Sequence, residues 1–170
     1  MRANNTYTHT SRQVKITVAY TDTESNEIID QMLKAVRHCQ VLNIQLVSAA
    51  NGHLTLELPY SEQIVGNPGS GVIHGGAITT LMDTACGFVV PISLEEFSIC
   101  PTLDLRIDYM TAAQPNQSVF GRSEVYRVTD NVIFSKGIAY QDNIDKPIAH
   151  CVATFMRLSP EITQAKMGKS

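Results

Sequence analysis

The chain reads Asn67-Pro68-Gly69-Ser70-Gly71-Val72-Ile73-His74-Gly75-Gly76, then enters an apolar periodic stretch that contains Asp83. A glycine pair at a helix start presents free backbone N–H groups, with the positive end of the helix dipole behind them, to any carbonyl oxygen brought close. Such donors make an oxyanion hole without side chains. The same glycines also suit a tight turn and close packing of the helix start, and spacing alone leaves both roles open. Asp83 follows Gly76 by seven residues, so at about 100° per residue the two share nearly one helix face with Thr80 and Gly87. A lone carboxylate on such a face is ordinarily a solvated surface group. Covered by a second subunit, it becomes a partly desolvated carboxylate in a cleft, the setting of a general base or nucleophile.

At about 1.5 Å rise per residue, Gly76 and Asp83 stand roughly 10 Å apart on one rigid helix, too far to serve one carbonyl easily in the same copy. Two such helices paired antiparallel about a two-fold axis bring Asp83 of one chain near Gly75 and Gly76 of the other. The site is therefore expected to straddle a dimer interface. His74 lies nine residues before Asp83, on the opposite helix face, which favours positioning of the glycine turn over a His–Asp relay within one chain. Ser70 sits in Gly-Ser-Gly rather than GxSxG, which weakens a serine-nucleophile reading. Cys86 falls inside the helix and reads as a buried structural thiol.

The elements that position these residues follow from periodicity. Ile78, Leu81, Met82, Ala85 and Val89 form one apolar stripe that predicts a central buried helix over about 75 to 90, stopped by Pro91. Residues 59 to 73 form a connection of about 15 residues, long enough to suggest function. Upstream, Ile28, Ile29, Met32, Leu33 and Val36 recur at helical spacing, predicting a helix from Thr23 to His38 with Thr23 or Ser25 as N-cap. Strands are expected over 41–48 and 53–58 with a hairpin turn at Asn51-Gly52. Four more are expected near 98–111, 117–128, 131–141 and 147–158, joined as an antiparallel meander. In the first of these four, Leu103, Leu105, Ile107 and Tyr109 alternate with Asp104, Arg106 and Asp108. Val14, Ile16, Val18 and Tyr20 suggest a short strand near the start. The expected organisation is an arm over 1–22, a single domain over 23–158 and a polar tail over 159–170.

With 44% hydrophobic and 17% charged residues, the chain has enough apolar material for one packed core. A net charge of -3, without a basic run, supplies no electrostatic footprint for nucleic acid or a membrane surface, so neither is expected as a partner. The four cysteines are scattered without a CxxC pair, so no metal site is expected. The first residues lack a signal-peptide pattern and no apolar run reads as long enough to span a bilayer, which makes a cytoplasmic location the expectation.

These motifs resemble the phenylacetate-pathway type of hotdog thioesterase, which has an Asn-Pro-x-Gly-x-x-His-Gly-Gly loop followed by a helix reading Leu-x-Asp-Thr-Ala-x-Gly. Here Asn67-Pro68, His74-Gly75-Gly76 and Leu81-Met82-Asp83-Thr84-Ala85-Cys86-Gly87 match. Residues Thr102 to Met110 look like the family's third-strand segment, and the likeness covers roughly residues 40 to 158. One more residue lies between Pro68 and His74 than in that pattern, and Thr111-Ala112 stands where relatives often have Arg-Pro.

The resemblance implies an α+β hotdog fold, a long central helix wrapped by a curved antiparallel sheet, in a homodimer or a dimer of dimers joined edge to edge. It implies an acyl-CoA thioesterase, or one acting on the thioester of an acyl carrier, without a cofactor, coenzyme A being part of the substrate. Gly75 would donate its N–H to the thioester oxygen, and Asp83 of the other chain would activate water or attack the carbonyl. Asn67 would place water or thioester, and Thr102 would orient the nucleophile. Two alternatives stay open: a non-catalytic acyl-CoA-binding hotdog protein, and a hotdog dehydratase or hydratase pairing His74 with Asp83 between chains. For the coenzyme's phosphates, Arg106, Arg122, Arg127 and Lys136 are generic candidates.

Overall fold

The computed structural model describes residues 20–95, 97–159 and 162–163. The short strand expected near residues 14–20 lies, but for Tyr20, outside them, as do most of the arm over 1–22 and most of the tail.

Helix α1 spans Asp22–Ala35, and Thr21 rather than Thr23 or Ser25 caps it. The reason is reciprocal bonding: the Glu24 N–H donates to Thr21 Oγ1 (3.3 Å) while the Thr21 N–H donates to Glu24 Oε2 (2.8 Å). Ile29 and Leu33 are buried on its inner face, and Asn26 ties it to the next strand by accepting the Ala49 N–H at 3.0 Å. Val36 adopts an extended conformation and breaks the expected helix into α1 and a short α2, Arg37–Val41.

Strands β1 (Gln45–Ala50) and β2 (His53–Leu58) form the expected hairpin. Asn51 and Gly52 both take positive φ, 53° and 75°, as a two-residue turn of this kind requires. The long connection is not structureless: it contains a 3-10 turn at Glu62–Ile64 and a small hairpin of β3 (Val65–Asn67) and β4 (Val72–Ile73). Helix α3 (Gly75–Phe88) follows, and then β5 (Thr102–Tyr109), β6 (Val119–Val128), β7 (Val132–Tyr140) and β8 (Ala149–Met156).

All neighbours in the main sheet are antiparallel, in the order β1-β2-β6-β7-β8-β5. Only β6, β7 and β8 form the meander expected of the last four strands. β5 pairs with β8 at the far edge, and the connection over residues 110–118 supplies enough chain to cross from one side of the meander to the other. The result is an α+β hotdog architecture in which the curved sheet wraps α3.

Close approach of helix and sheet depends on small residues. A Cβ at Gly121 would stand 3.0 Å from Leu81 Cγ, and one at Gly137 would stand 2.7 Å from Met82 Cε. Ser123 donates its hydroxyl to the Ala85 carbonyl at 2.7 Å, stitching the strand to the helix. Leu81, Met82, Ala85 and Cys86 are fully buried there. The stretch Gly75–Ser93, with mean hydropathy 1.3, is long and apolar enough to match a membrane span by length and composition, contrary to the expectation from the sequence. Its apolarity is accounted for by the sheet that covers it.

Candidate active site

His74 is the N-cap of α3: its Nδ1 accepts the Gly76 N–H at 2.9 Å. The β3–β4 hairpin braces this residue, because the His74 N–H donates to the Ile64 carbonyl at 2.8 Å and a Cβ at Gly66 would meet His74 atoms at 3.1 Å. The long connection thus sets the helix start. Neither glycine of the pair needs a positive φ; each needs to lack a side chain. A Cβ on Gly76 would stand 2.9 Å from His74 Nδ1, and one on Gly75 would stand 3.3 Å from the Tyr109 hydroxyl. Among the described residues, no acceptor takes the Gly75 N–H, which leaves it available to a carbonyl oxygen.

Asp83 lies on α3 two turns further on, half-buried, and accepts a hydrogen bond on Oδ1 from Thr102 Oγ1 at 3.1 Å. The register of β5 explains this contact. Thr102 pairs with Phe155 and Asp104 with Thr154, so Leu103 is an extra, bulged residue. Strict alternation would put Thr102 on the outer face with Asp104. The bulge turns it inward and leaves Leu103 49% exposed, so the expected alternation of Leu103 with Leu105 fails at that residue.

Beside Asp83 and Thr102 opens a cavity of about 380 Å³ lined chiefly by apolar groups, among them Met32, Val36, Phe88, Ile99 and Phe155. Gly75 faces a different recess, shared with Ile78 and Tyr109, while His74 and Gly76 line a third with His38. Asp83 and Thr102 therefore form one group, and His74, Gly75 and Gly76 another, and one chain does not bring them together in one cavity. Asn67 joins neither: exposed at the hairpin tip, it accepts the Gly69 N–H on Oδ1 at 2.9 Å.

Local sequence patterns missed two contributors. His38 on α2 stands 3.4 Å from Thr80 Oγ1 and lines the Asp83 cavity, but nothing in its neighbourhood links it to a residue 45 positions later. Thr79 meets Tyr109 across 2.9 Å, a contact that only its spacing of four from Gly75 hinted at.

The thiols here are unreactive types. Burial pushes Cys39 and Cys100, both at the Asp83 cavity, above the ordinary thiol range, and contact with Cys86 followed by burial does the same to Cys151. Of the cationic candidates, Arg106 is engaged by Asp108 at 3.0 Å and Lys136 by Glu124 at 3.1 Å. Among the described residues, no cluster of three His, Cys, Asp or Glu side chains is placed to hold a metal ion.

A profile described as the thioesterase superfamily matches residues 70–148, the segment from the β3–β4 turn through α3 to β8. The chain carries a thioesterase-superfamily domain. A solved structure from Pseudomonas aeruginosa is 57% identical to it, covering 79% of this chain and 99% of that one with a TM-score of 0.73. A Halobacterium salinarum protein provisionally named an esterase is 34% identical over 76 residues, which are 43% of this chain. The match spans 50% of that curated relative's length. The PaaI protein of the E. coli phenylacetic acid degradation operon has the same fold, with a TM-score of 0.71 at 14% identity over 84% of this chain and 97% of its own.

Proposed function

We propose that this protein hydrolyses an acyl-CoA thioester to free acid and coenzyme A thiol, in a site shared between two subunits. The observation that carries the proposal is the Asp83 carboxylate, fixed by Thr102 at the mouth of an apolar cavity of about 380 Å³. The thioester carbonyl sits at the carboxylate and the acyl chain fills the cavity. Asp83 takes a proton from water, the resulting hydroxide attacks the carbonyl carbon, and the tetrahedral oxyanion is held by the Gly75 N–H of the other subunit. Collapse breaks the C–S bond and releases the thiolate, which regains a proton. Direct attack by Asp83, giving an anhydride that water then opens, uses the same groups.

Two features support sharing between subunits. Gly75 and Asp83 line separate cavities of one chain, and β5 is an open sheet edge that ends at Tyr109, 48% exposed, with Met110 just beyond it at 63%. An exposed edge of this kind is a template for pairing with a second copy. The dehydratase alternative needs a histidine base, and neutral His74 accepting at Nδ1 carries its proton on Nε2, with no lone pair free for the task.

The test is release of free thiol from a panel of short, medium, long and aromatic acyl-CoA substrates by wild type and Asp83→Asn. Turnover lowered at least about a hundredfold in the folded variant is expected. Turnover unchanged by the substitution removes Asp83 from the mechanism, and no release from any substrate overturns the hydrolase reading.

A further inference from the structure

We propose that Tyr109 is a positioning residue for the oxyanion-binding Gly75, acting through a one-directional hydrogen-bond relay that runs from β5 to His74. The proposal rests on the thioesterase reading above and deepens it.

A glycine pair gives a substrate oxygen access to the backbone, but two glycines in succession also have the loosest backbone available. An oxyanion donor must be held still before the reaction starts, since its contribution depends on preorganisation. Something other than a Cβ has to hold Gly75 and Gly76. Two side chains close on the pair from different sides: the His74 ring, 2.9 Å from where a Gly76 Cβ would lie, and the Tyr109 hydroxyl, 3.3 Å from where a Gly75 Cβ would lie.

Their hydrogen bonds are connected. Tyr109 Oη donates to the Gly75 carbonyl at 2.5 Å, and Thr79 Oγ1 stands 2.9 Å from that same Oη. The Thr79 hydroxyl donates to the same carbonyl at 3.1 Å, so two hydroxyls converge on the Gly75 oxygen. The Gly75 carbonyl belongs to the same peptide as the Gly76 N–H, which donates to His74 Nδ1 at 2.9 Å. The order of donation is therefore Tyr109, with Thr79 beside it, to the Gly75–Gly76 peptide, and that peptide to His74. Each bond polarises the next in the same sense. The relay fixes the peptide plane after Gly75, while the cap and the bond from the His74 N–H to the Ile64 carbonyl fix the chain before it. The Gly75 N–H, between the two, has its direction set.

Tyr109, which starts this relay, sits on β5, an edge strand of the sheet. Pairing of two β5 strands would therefore bear directly on the helix start, with Tyr109 as the connecting side chain.

Tyr109→Phe removes the hydroxyl and keeps the ring. The expected result is a kcat lowered about tenfold or more with KM changed less than about twofold, because the acyl cavity does not include Tyr109. In the same variant the Gly76 amide resonance and the His74 ring nitrogens should shift, and amide exchange at Gly75 and Gly76 should accelerate, with the fold retained by circular dichroism. Thr79→Val should give the same changes at smaller size, and it stands in if Tyr109→Phe fails to fold. An active wild type whose Tyr109→Phe and Thr79→Val forms keep full kcat, or leave the Gly76 amide where it was, overturns the relay. A wild type that releases no thiol while its Gly76 amide still responds to Tyr109→Phe overturns the hydrolase reading, and with it the role of Tyr109 in positioning an oxyanion donor.

Discussion

Thr102 Oγ1 donates to Asp83 Oδ1 across 3.1 Å, and it does so only because the bulge at Leu103 turns Thr102 onto the inner face of the sheet. In the proposed mechanism the bond holds one carboxylate oxygen and leaves the other for water or the thioester carbon, so that Thr102 acts through Asp83. Thr102→Val should lower kcat by about tenfold, and adding it to Asp83→Asn should cost nothing further, since residues acting as a unit are not additive. Kinetics of the two single variants and the double variant measure this. Losses that multiply would give Thr102 a role of its own.

The ring of His74 covers Gly76 more closely than the Tyr109 hydroxyl covers Gly75. Gly76→Ala should therefore lower thermal stability more than Gly75→Ala does, by expelling His74 from its cap. Loss of a side-chain cap is worth about 1 kcal/mol. In a His74→Ala background the obstacle is gone, so Gly76→Ala should become neutral or stabilising, as alanine is the better helix former. Melting temperatures of the single and double variants decide it. An equal penalty with and without His74 would contradict the capping geometry.

The central helix, the β1–β2 hairpin and the meander of β6 to β8 were legible because each is written locally, as a 3.6-residue stripe, an Asn-Gly turn or a period of two. The placement of β5 was not, because pairing with β8 is set by a crossover and no local pattern records which strand a chain segment will join. The bulge at Leu103 was hidden for a related reason: its neighbours alternate well enough to read as regular strand, and only the partner's register exposes the extra residue. The expected cap at Thr23 or Ser25 missed Thr21 by overlooking the reciprocal Glu24 three residues on. Within the site, the run from His74 to Gly76 and the helix bearing Asp83 stood out by residue type, whereas Asn67 turned out to bond its own hairpin. His38 had no local signal at all.

Ser135 on β7 is fully buried, and among the described residues its hydroxyl finds no hydrogen-bond partner. An unsatisfied buried hydroxyl costs about 1–3 kcal/mol. Ser135→Ala removes that group with almost no change of volume, so it should raise the denaturation midpoint in urea without altering the slope. A lowered midpoint would mean that the hydroxyl has a partner, such as a buried water, that the substitution strands.

Alkaline stability should carry the mark of the buried thiols. Cys151 is 3% exposed, its Sγ lies 3.8 Å from that of Cys86, and this contact together with burial raises its pKa far above the ordinary 9.0. Above about pH 9 the unfolded chain has lost this proton while the folded chain retains it, so unfolding releases a proton. Stability from this source is complete below that pH and falls as pH rises towards the folded-state value. Burial of Cys39 and Cys100 acts with the same sign. Urea unfolding of wild type and Cys151→Ala at about pH 8 and about pH 10 isolates the effect, because any packing loss in the variant is common to both conditions. The variant should lose less stability over that interval than wild type does. Equal losses would show that the Cys151 thiol ionises inside the fold as readily as outside it, and would contradict its burial against Cys86.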